Sequence, residues 1–128
     1  MKRIFLDTNF VLDTVQWKID LFGELSRVCD FAFETVVLDR VLEELESVKA
    51  RGGRKKELAN VALLVLSKSR ITVLNTTSTS SVDSLLVKLA DKNDFVATQD
   101  QALKRRLRQK GVPVVVIREK GYLQLVGV

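Results

Sequence analysis

Apolar positions along the chain fall into short unbroken runs separated by stretches of helical periodicity. Ile4, Phe5 and Leu6 close a first run at 2–6 that reads as a buried strand and stops on Asp7-Thr8-Asn9. One or two helices fill 9–30. The segment ETVVL at 34–38 is a second strand on its β-branched content. Asp39 reads as the N-cap of a helix over 40–50, which Gly52-Gly53 breaks. Leu58, Val61, Ala62, Val65 and Leu66 recur at three- and four-residue spacing and predict a helix over 55–68. A short strand at 71–74 leads into the polar loop NTTSTSS at 75–81. A helix over 82–90, a strand at 95–98 and a helix over 100–110 follow, the last ended by Gly111 and Pro113. A strand at 114–117 comes next, and Tyr122–Val126 is a further candidate.

Strands therefore alternate with helices. Several strands are short and uniformly apolar, as they are when both faces of a sheet are covered. This predicts an α/β fold: three α/β/α layers around a mainly parallel central sheet of four to five strands. No linker or internal repeat is visible, so 1–128 reads as a single domain.

In such folds ligands bind beyond the carboxyl ends of the strands, and the acids at those ends matter most. Asp7, Asp39 and Asp100 each follow a strand directly. Each also suits a helix N-cap. In the helix over 40–50 the apolar stripe is Val41, Leu42, Leu45 and Val48. Glu44 has Val41 and Val48 as helical neighbours and borders that stripe, Glu43 lies opposite it and Glu46 is intermediate. Asp83, in the first turn of the next helix but one, has Leu86 and Val87 ahead of it and leans toward the packed side. A first-turn acid also complements the helix dipole. Taken together, Asp7, Glu44, Asp83 and Asp100 can meet at one sheet edge. Four converging carboxylates repel and lose hydration unless cations neutralise them. The capping of the first helix then passes to Thr8 or Asn9, and Asp13 is expected at the surface.

Composition narrows the chemistry. The chain has no histidine and one cysteine, Cys29. Serine and cysteine catalysis through histidine, imidazole zinc sites and thiolate cages are all excluded. Carboxylates alone suit hard cations such as Mg²⁺ or Mn²⁺. The single cysteine fits a reducing compartment. The apolar run after Lys2-Arg3 ends at Asp7, unlike a signal peptide, and the longest run, 61–66, is far below the roughly 20 residues of a membrane span. A soluble cytoplasmic protein is expected.

A net charge of +5 points to a polyanionic partner. Two basic groups are candidates for nucleic-acid phosphate contacts: Lys49, Arg51, Arg54, Lys55 and Lys56 around the glycine pair, and Lys104, Arg105, Arg106, Arg108 and Lys110 on the helix over 100–110. The second group is spread around its helix. Aromatic residues are few, and Trp17 and Tyr122 read as core or boundary packing.

Four segments in this order and spacing resemble the PIN-domain nucleases: FLDTNFVLD at 5–13, VLEELE at 41–46, VDSLLVKLA at 82–90 and FVATQDQALKRRL at 95–107. The last, followed by GVPVVVI, looks most like the branch containing the eukaryotic small-subunit rRNA-processing PIN nuclease and its archaeal relatives, and the chain is also similar to VapC-type toxins. The resemblance implies a metal-dependent endoribonuclease acting on single-stranded RNA. It places the family's acids on Asp7, Glu44, Asp83 and Asp100, as ligands of Mg²⁺ or Mn²⁺, with Asn9 and Thr98 in support. Many members carry another acid near the third motif where this chain has Ser84. The resemblance further implies a homodimer, and either a small antitoxin or a ribosome-assembly partner. Two other readings stand beside it: a non-catalytic RNA-binding module, and a phosphotransfer domain with Asp7 as acceptor, against which Asn9 occupies the place of a phosphatase's second aspartate.

Overall fold

The computed structural model describes residues 1–127. In chain order its elements are β1 (Lys2–Leu6), α1 (Thr8–Gln16), α2 (Leu21–Val28), β2 (Phe33–Leu38), α3 (Asp39–Arg51), α4 (Lys56–Ser67), β3 (Thr72–Leu74), α5 (Val82–Leu89), β4 (Phe95–Ala97), α6 (Gln101–Lys110), β5 (Val114–Arg118) and β6 (Tyr122–Val126). The strands form one sheet in the order β3-β2-β1-β4-β5-β6, parallel throughout except for the antiparallel β5–β6 pair. The sheet has six strands where the sequence predicts four to five. β6 is the added one. It is an edge strand with only Leu123 buried, so it lacks the continuous apolar run that marks the inner strands.

From β1 the chain steps outward through β2 to β3, then returns past β1 to β4 and continues to β5. Right-handed crossovers put the helices of these two journeys on opposite faces. Accordingly α1, α3 and α4 pack together, α5 packs with α6, and α2 packs against β6. Ile4, Phe5 and Leu6 of the central strand are wholly buried, and Phe10, Val36, Leu45, Leu86, Val96 and Leu107 join them from both layers.

The direction of winding reverses between β1 and β4, which opens a crevice beyond their carboxyl ends. Asp7 leaves β1 there, and its N–H donates to the Ala97 carbonyl at the end of β4. The opposite end of the same strand pair is closed by an ion pair. Asp94 is buried and accepts from the Arg3 backbone and guanidinium, with Arg3 Nη2 at 2.8 Å.

Several local expectations change. Asp39 is the first residue of α3 rather than its cap, and its carboxylate accepts from the Thr76 N–H and hydroxyl, at 3.1 and 2.8 Å. No side chain caps α1: Asp7 occupies the N-cap position without a capping hydrogen bond, Thr8 is committed elsewhere and Asn9 is exposed. Asp13 is half-buried; burial raises its pKa while the Lys55 charge pulls it down. Tyr122 is exposed. In the three-residue β5–β6 connection Glu119 and Lys120 both take positive φ, +52° and +51°, and the turn is closed by the Gly121 N–H donating to the Arg118 carbonyl.

Candidate active site

Asp7, Glu44, Asp83 and Asp100 line one cavity of about 610 Å³ at the β1–β4 crevice, together with Asn9, Glu43, Arg40 and Arg51. Each carboxylate arrives by a different local device. β1 ends at Leu6 and delivers Asp7, a residue only 7% exposed. α3 runs along the cavity and contributes Glu44, held by a hydrogen bond from the Thr8 hydroxyl. Glu43 reaches the same wall beside Arg40, although its helical position lies opposite the apolar stripe.

Asp83 depends on the loop before it. Arg40 donates to the Ser78 and Ser80 carbonyls at 3.2 and 2.8 Å, and Asp39 anchors Thr76. The start of α3 thereby fixes the polar loop 75–81. Ser81 then caps α5 by accepting from the Ser84 N–H, setting Asp83 in the first turn. Asp100 is the N-cap of α6, and one of its oxygens accepts from the Leu103 N–H at 2.9 Å. A carboxylate in that role keeps acceptor capacity in reserve. Gln99 secures the segment from behind: its amide accepts from the Ile117 N–H at 2.8 Å and donates to the Ile117 carbonyl at 3.3 Å. This side-chain amide continues the β4–β5 ladder by one rung.

Thr98 is fully buried beneath Asp7. Its hydroxyl donates to Asp7 Oδ2 at 2.9 Å and accepts from the Asp100 N–H at 3.1 Å. A hydroxyl has one proton to give, so this bond orients the Asp7 carboxylate.

The electrostatics are those of an acid cluster with cations on its rim but no ion pair to its four members among the described residues. Among the described residues, the ion pairs join Arg3 to Asp94, Arg27 to Glu24 and Arg40 to Glu43, and none involves the four acids. Burial lifts Asp7 from an ordinary 3.8 to about 6; the Thr98 hydrogen bond opposes this, and the charges of Asp83 and Glu44 add to it. Burial also raises Asp83, followed by the Asp100 charge, while Arg106 pulls the other way. Asp94 is the internal contrast. Burial pushes it up as well, but the Arg3 guanidinium and the surrounding N–H donors bring it below the usual range.

The donor set is all oxygen, as hard divalent cations require. Among the described residues, no three acidic or thiol side chains are drawn together into a ready-made cage. The acids are spread around the cavity wall, where ordered water could complete a cation's shell.

The basic residues do not form one patch. Arg51 lines the cavity, and Arg106 reaches Ser84 beside Asp83 at 3.4 Å. Lys104, Arg105 and Arg108 line a separate cleft with Arg118. Lys49 lies on a groove between α3 and α4. Arg54, Lys55 and Lys56 are exposed between those helices, and Lys110 donates to the Val87 and Lys88 carbonyls. Arg40 and Gln99 escape sequence reasoning, and Thr8 and Asp39 are legible there only as helix caps, because the roles they take depend on elements distant in the chain.

Comparison with known proteins agrees with this geometry. A family model described as a PIN like domain matches residues 4–120. Ribonuclease VapC4 of Methanocaldococcus jannaschii is 32% identical over 132 aligned positions, covering 99% of this chain and 98% of the relative. Ribonuclease VapC9 of Archaeoglobus fulgidus is 32% identical over 119 positions, covering 89% and 82%. Among solved structures, the PIN domain endonuclease Utp24 superposes with a TM-score of 0.81 at 27% identity, over 98% of this chain and 92% of that one. With one sheet order, one acid-lined crevice and matches along nearly its whole length, the chain belongs to the PIN-domain ribonuclease family.

Proposed function

We propose that the whole chain, 1–128, acts as one PIN domain that hydrolyses phosphodiester bonds of single-stranded RNA with Mg²⁺ or Mn²⁺ held by Asp7, Glu44, Asp83 and Asp100. The observation that carries this reading is a buried, unpaired Asp7 sharing one cavity with three further carboxylates. Buried acids without a cation raise their pKa or cost stability, and the same protein pairs its other buried acid, Asp94, with Arg3. A bound divalent cation supplies acidification of water and charge neutralisation at a phosphodiester.

The chain's own residues do the rest. Thr98 orients the Asp7 carboxylate, and Thr8 does the same for Glu44. Arg40 and Arg51 place positive charge on the cavity wall, where an RNA phosphate enters. Asn9, exposed at the start of α1, offers an amide to the substrate or to water.

The names of the two curated relatives favour a VapC-type toxin, whose partner is a small antitoxin. Processing of pre-rRNA with a ribosome-assembly partner is the alternative role. In either, the chain works in the cytoplasm as a homodimer; among the described residues, no helix is long and apolar enough to cross a membrane.

The test is cleavage of structured and single-stranded RNAs by the purified chain with Mn²⁺, with Mg²⁺ and with chelator. Metal-dependent cleavage that the Asp7→Asn variant lacks supports the assignment. Salt-sensitive RNA binding with no cleavage under any metal replaces it with a non-catalytic RNA-binding module.

A further inference from the structure

α6 has two differently employed sides. Its N-cap, Asp100, lines the acidic cavity, and the next residue, Gln101, already lines another opening. That second opening is a cleft of about 560 Å³ between α6 and β5, walled by Lys104, Arg105, Arg108 and Arg118. Among the described residues no carboxylate lines it, and none of its four cations takes part in an ion pair. Burial lowers the Lys104 pKa, the Arg118 and Arg108 charges lower it further, and Asp100 opposes them. Lys104 is half-buried and Arg105, Arg108 and Arg118 are exposed around it, so four cations converge on one opening whose described lining holds no acid. Arg118 comes from the end of β5, so the cleft is built from two elements and is more than one helix's solvated face.

We propose that this cleft is a phosphate-binding subsite for the RNA backbone, reached by a strand that passes from the acidic cavity over the N-terminus of α6. The proposal rests on the ribonuclease reading above. It adds that the substrate extends past the scissile bond on one defined side, and it brings in Arg118. From Asp100 to Arg108 the helix advances about 12 Å, which a few nucleotides span. A dinucleotide held in the acidic cavity is too short to reach the far cations, whereas an RNA of about a dozen nucleotides would engage them.

The test measures RNA binding by the full chain in chelator, so that no cleavage intervenes, as a function of salt. Each phosphate contact on a single strand contributes about −0.7 to the slope of log K against log salt. The double variant Lys104→Gln, Arg118→Gln is expected to make the slope shallower by about 1.4 for the dozen-nucleotide RNA. Its affinity is expected to fall on the order of tenfold at 0.1 M salt, with a much smaller loss for the dinucleotide. The control variant Lys68→Gln, Lys92→Gln removes the same charge from exposed positions outside the cleft and is expected to change the slope far less. Equal effects of the two double variants, or a loss independent of RNA length, would overturn the subsite. Because binding is read without metal, absence of cleavage in the wild type would defeat the catalytic reading while leaving this measurement intact.

Discussion

Thr98 Oγ1 donates to Asp7 Oδ2 at 2.9 Å across the boundary between β1 and β4, and the two residues are 91 positions apart in the chain. The bond holds Asp7 in one orientation and opposes the rise in its pKa. In a Thr98→Val variant the shape is kept and the bond is lost. Asp7 then titrates above its present value of about 6. The acid limb of the pH–rate profile is expected to move to higher pH, with cleavage at pH 6 reduced on the order of tenfold for one lost hydrogen bond. An unmoved acid limb would show that Asp7 does not set it.

Asp7 also bears on stability. Its folded pKa, about 6, lies above the ordinary 3.8, so the unfolded chain releases this proton first. Stability linked to Asp7 is complete below pH 3.8 and declines as pH rises through 6. The gap corresponds to about 3 kcal/mol. In chelator, Asp7→Asn is therefore expected to be more stable than wild type at pH 7, by up to this amount, and equal to it near pH 4. Urea titrations at the two pH values measure the difference.

Cation binding is expected to displace that proton. At pH 6 Asp7 is about half protonated, whereas a ligating carboxylate is not. Mn²⁺ affinity should rise between pH 5 and 7 and level off above. Calorimetry at pH 6 in buffers of different ionisation heat should show proton release, which fades at pH 8. Affinity independent of pH across this range would remove Asp7 from the ligand set.

Arg3 and Asp94 close the far end of the same strand pair and belong to the scaffold. Replacing Arg3 with Met leaves a buried carboxylate without its cation. The expected cost is about 3 kcal/mol, read by denaturant unfolding, with the metal dependence of cleavage retained in the folded fraction.

The turn between β5 and β6 holds Glu119 and Lys120 at positive φ, a conformation that Asn-Gly adopts with less strain. The double change Glu119→Asn, Lys120→Gly preserves net charge and is expected to stabilise the protein by about 1 kcal/mol. An unchanged unfolding midpoint would mean the turn is relaxed as it stands.

Much of this organisation is legible in the sequence, for identifiable reasons. The inner strands announce themselves because both faces are buried, as at Ile4, Phe5 and Leu6. Strand ends then single out Asp7, Asp39 and Asp100. Only the structure separates Asp39 from the other two, since its partner Thr76 lies 37 positions away. Helical geometry brings Glu44 to the packed margin but leaves Glu43 outside, and the structure puts both on the cavity wall because α3 overhangs it. The basic residues are the least legible. Lys104, Arg105 and Arg106 are consecutive, yet the first two line the cationic cleft and the third reaches Ser84. That division is set by what packs against α6.

The bond between Thr98 and Asp7 has a temporal consequence. β4 joins the sheet beside β1 only after the segment between them, β2 and β3 included, has been made. Loop closure over such a separation is slow relative to forming local helices. A nascent chain ending before Thr98 lacks that hydrogen bond and lacks Asp100. The complete acid cavity consequently cannot form until β4 and Asp100 have been made and β4 has docked beside β1, so its four carboxylates converge later than the local helices that carry Glu44.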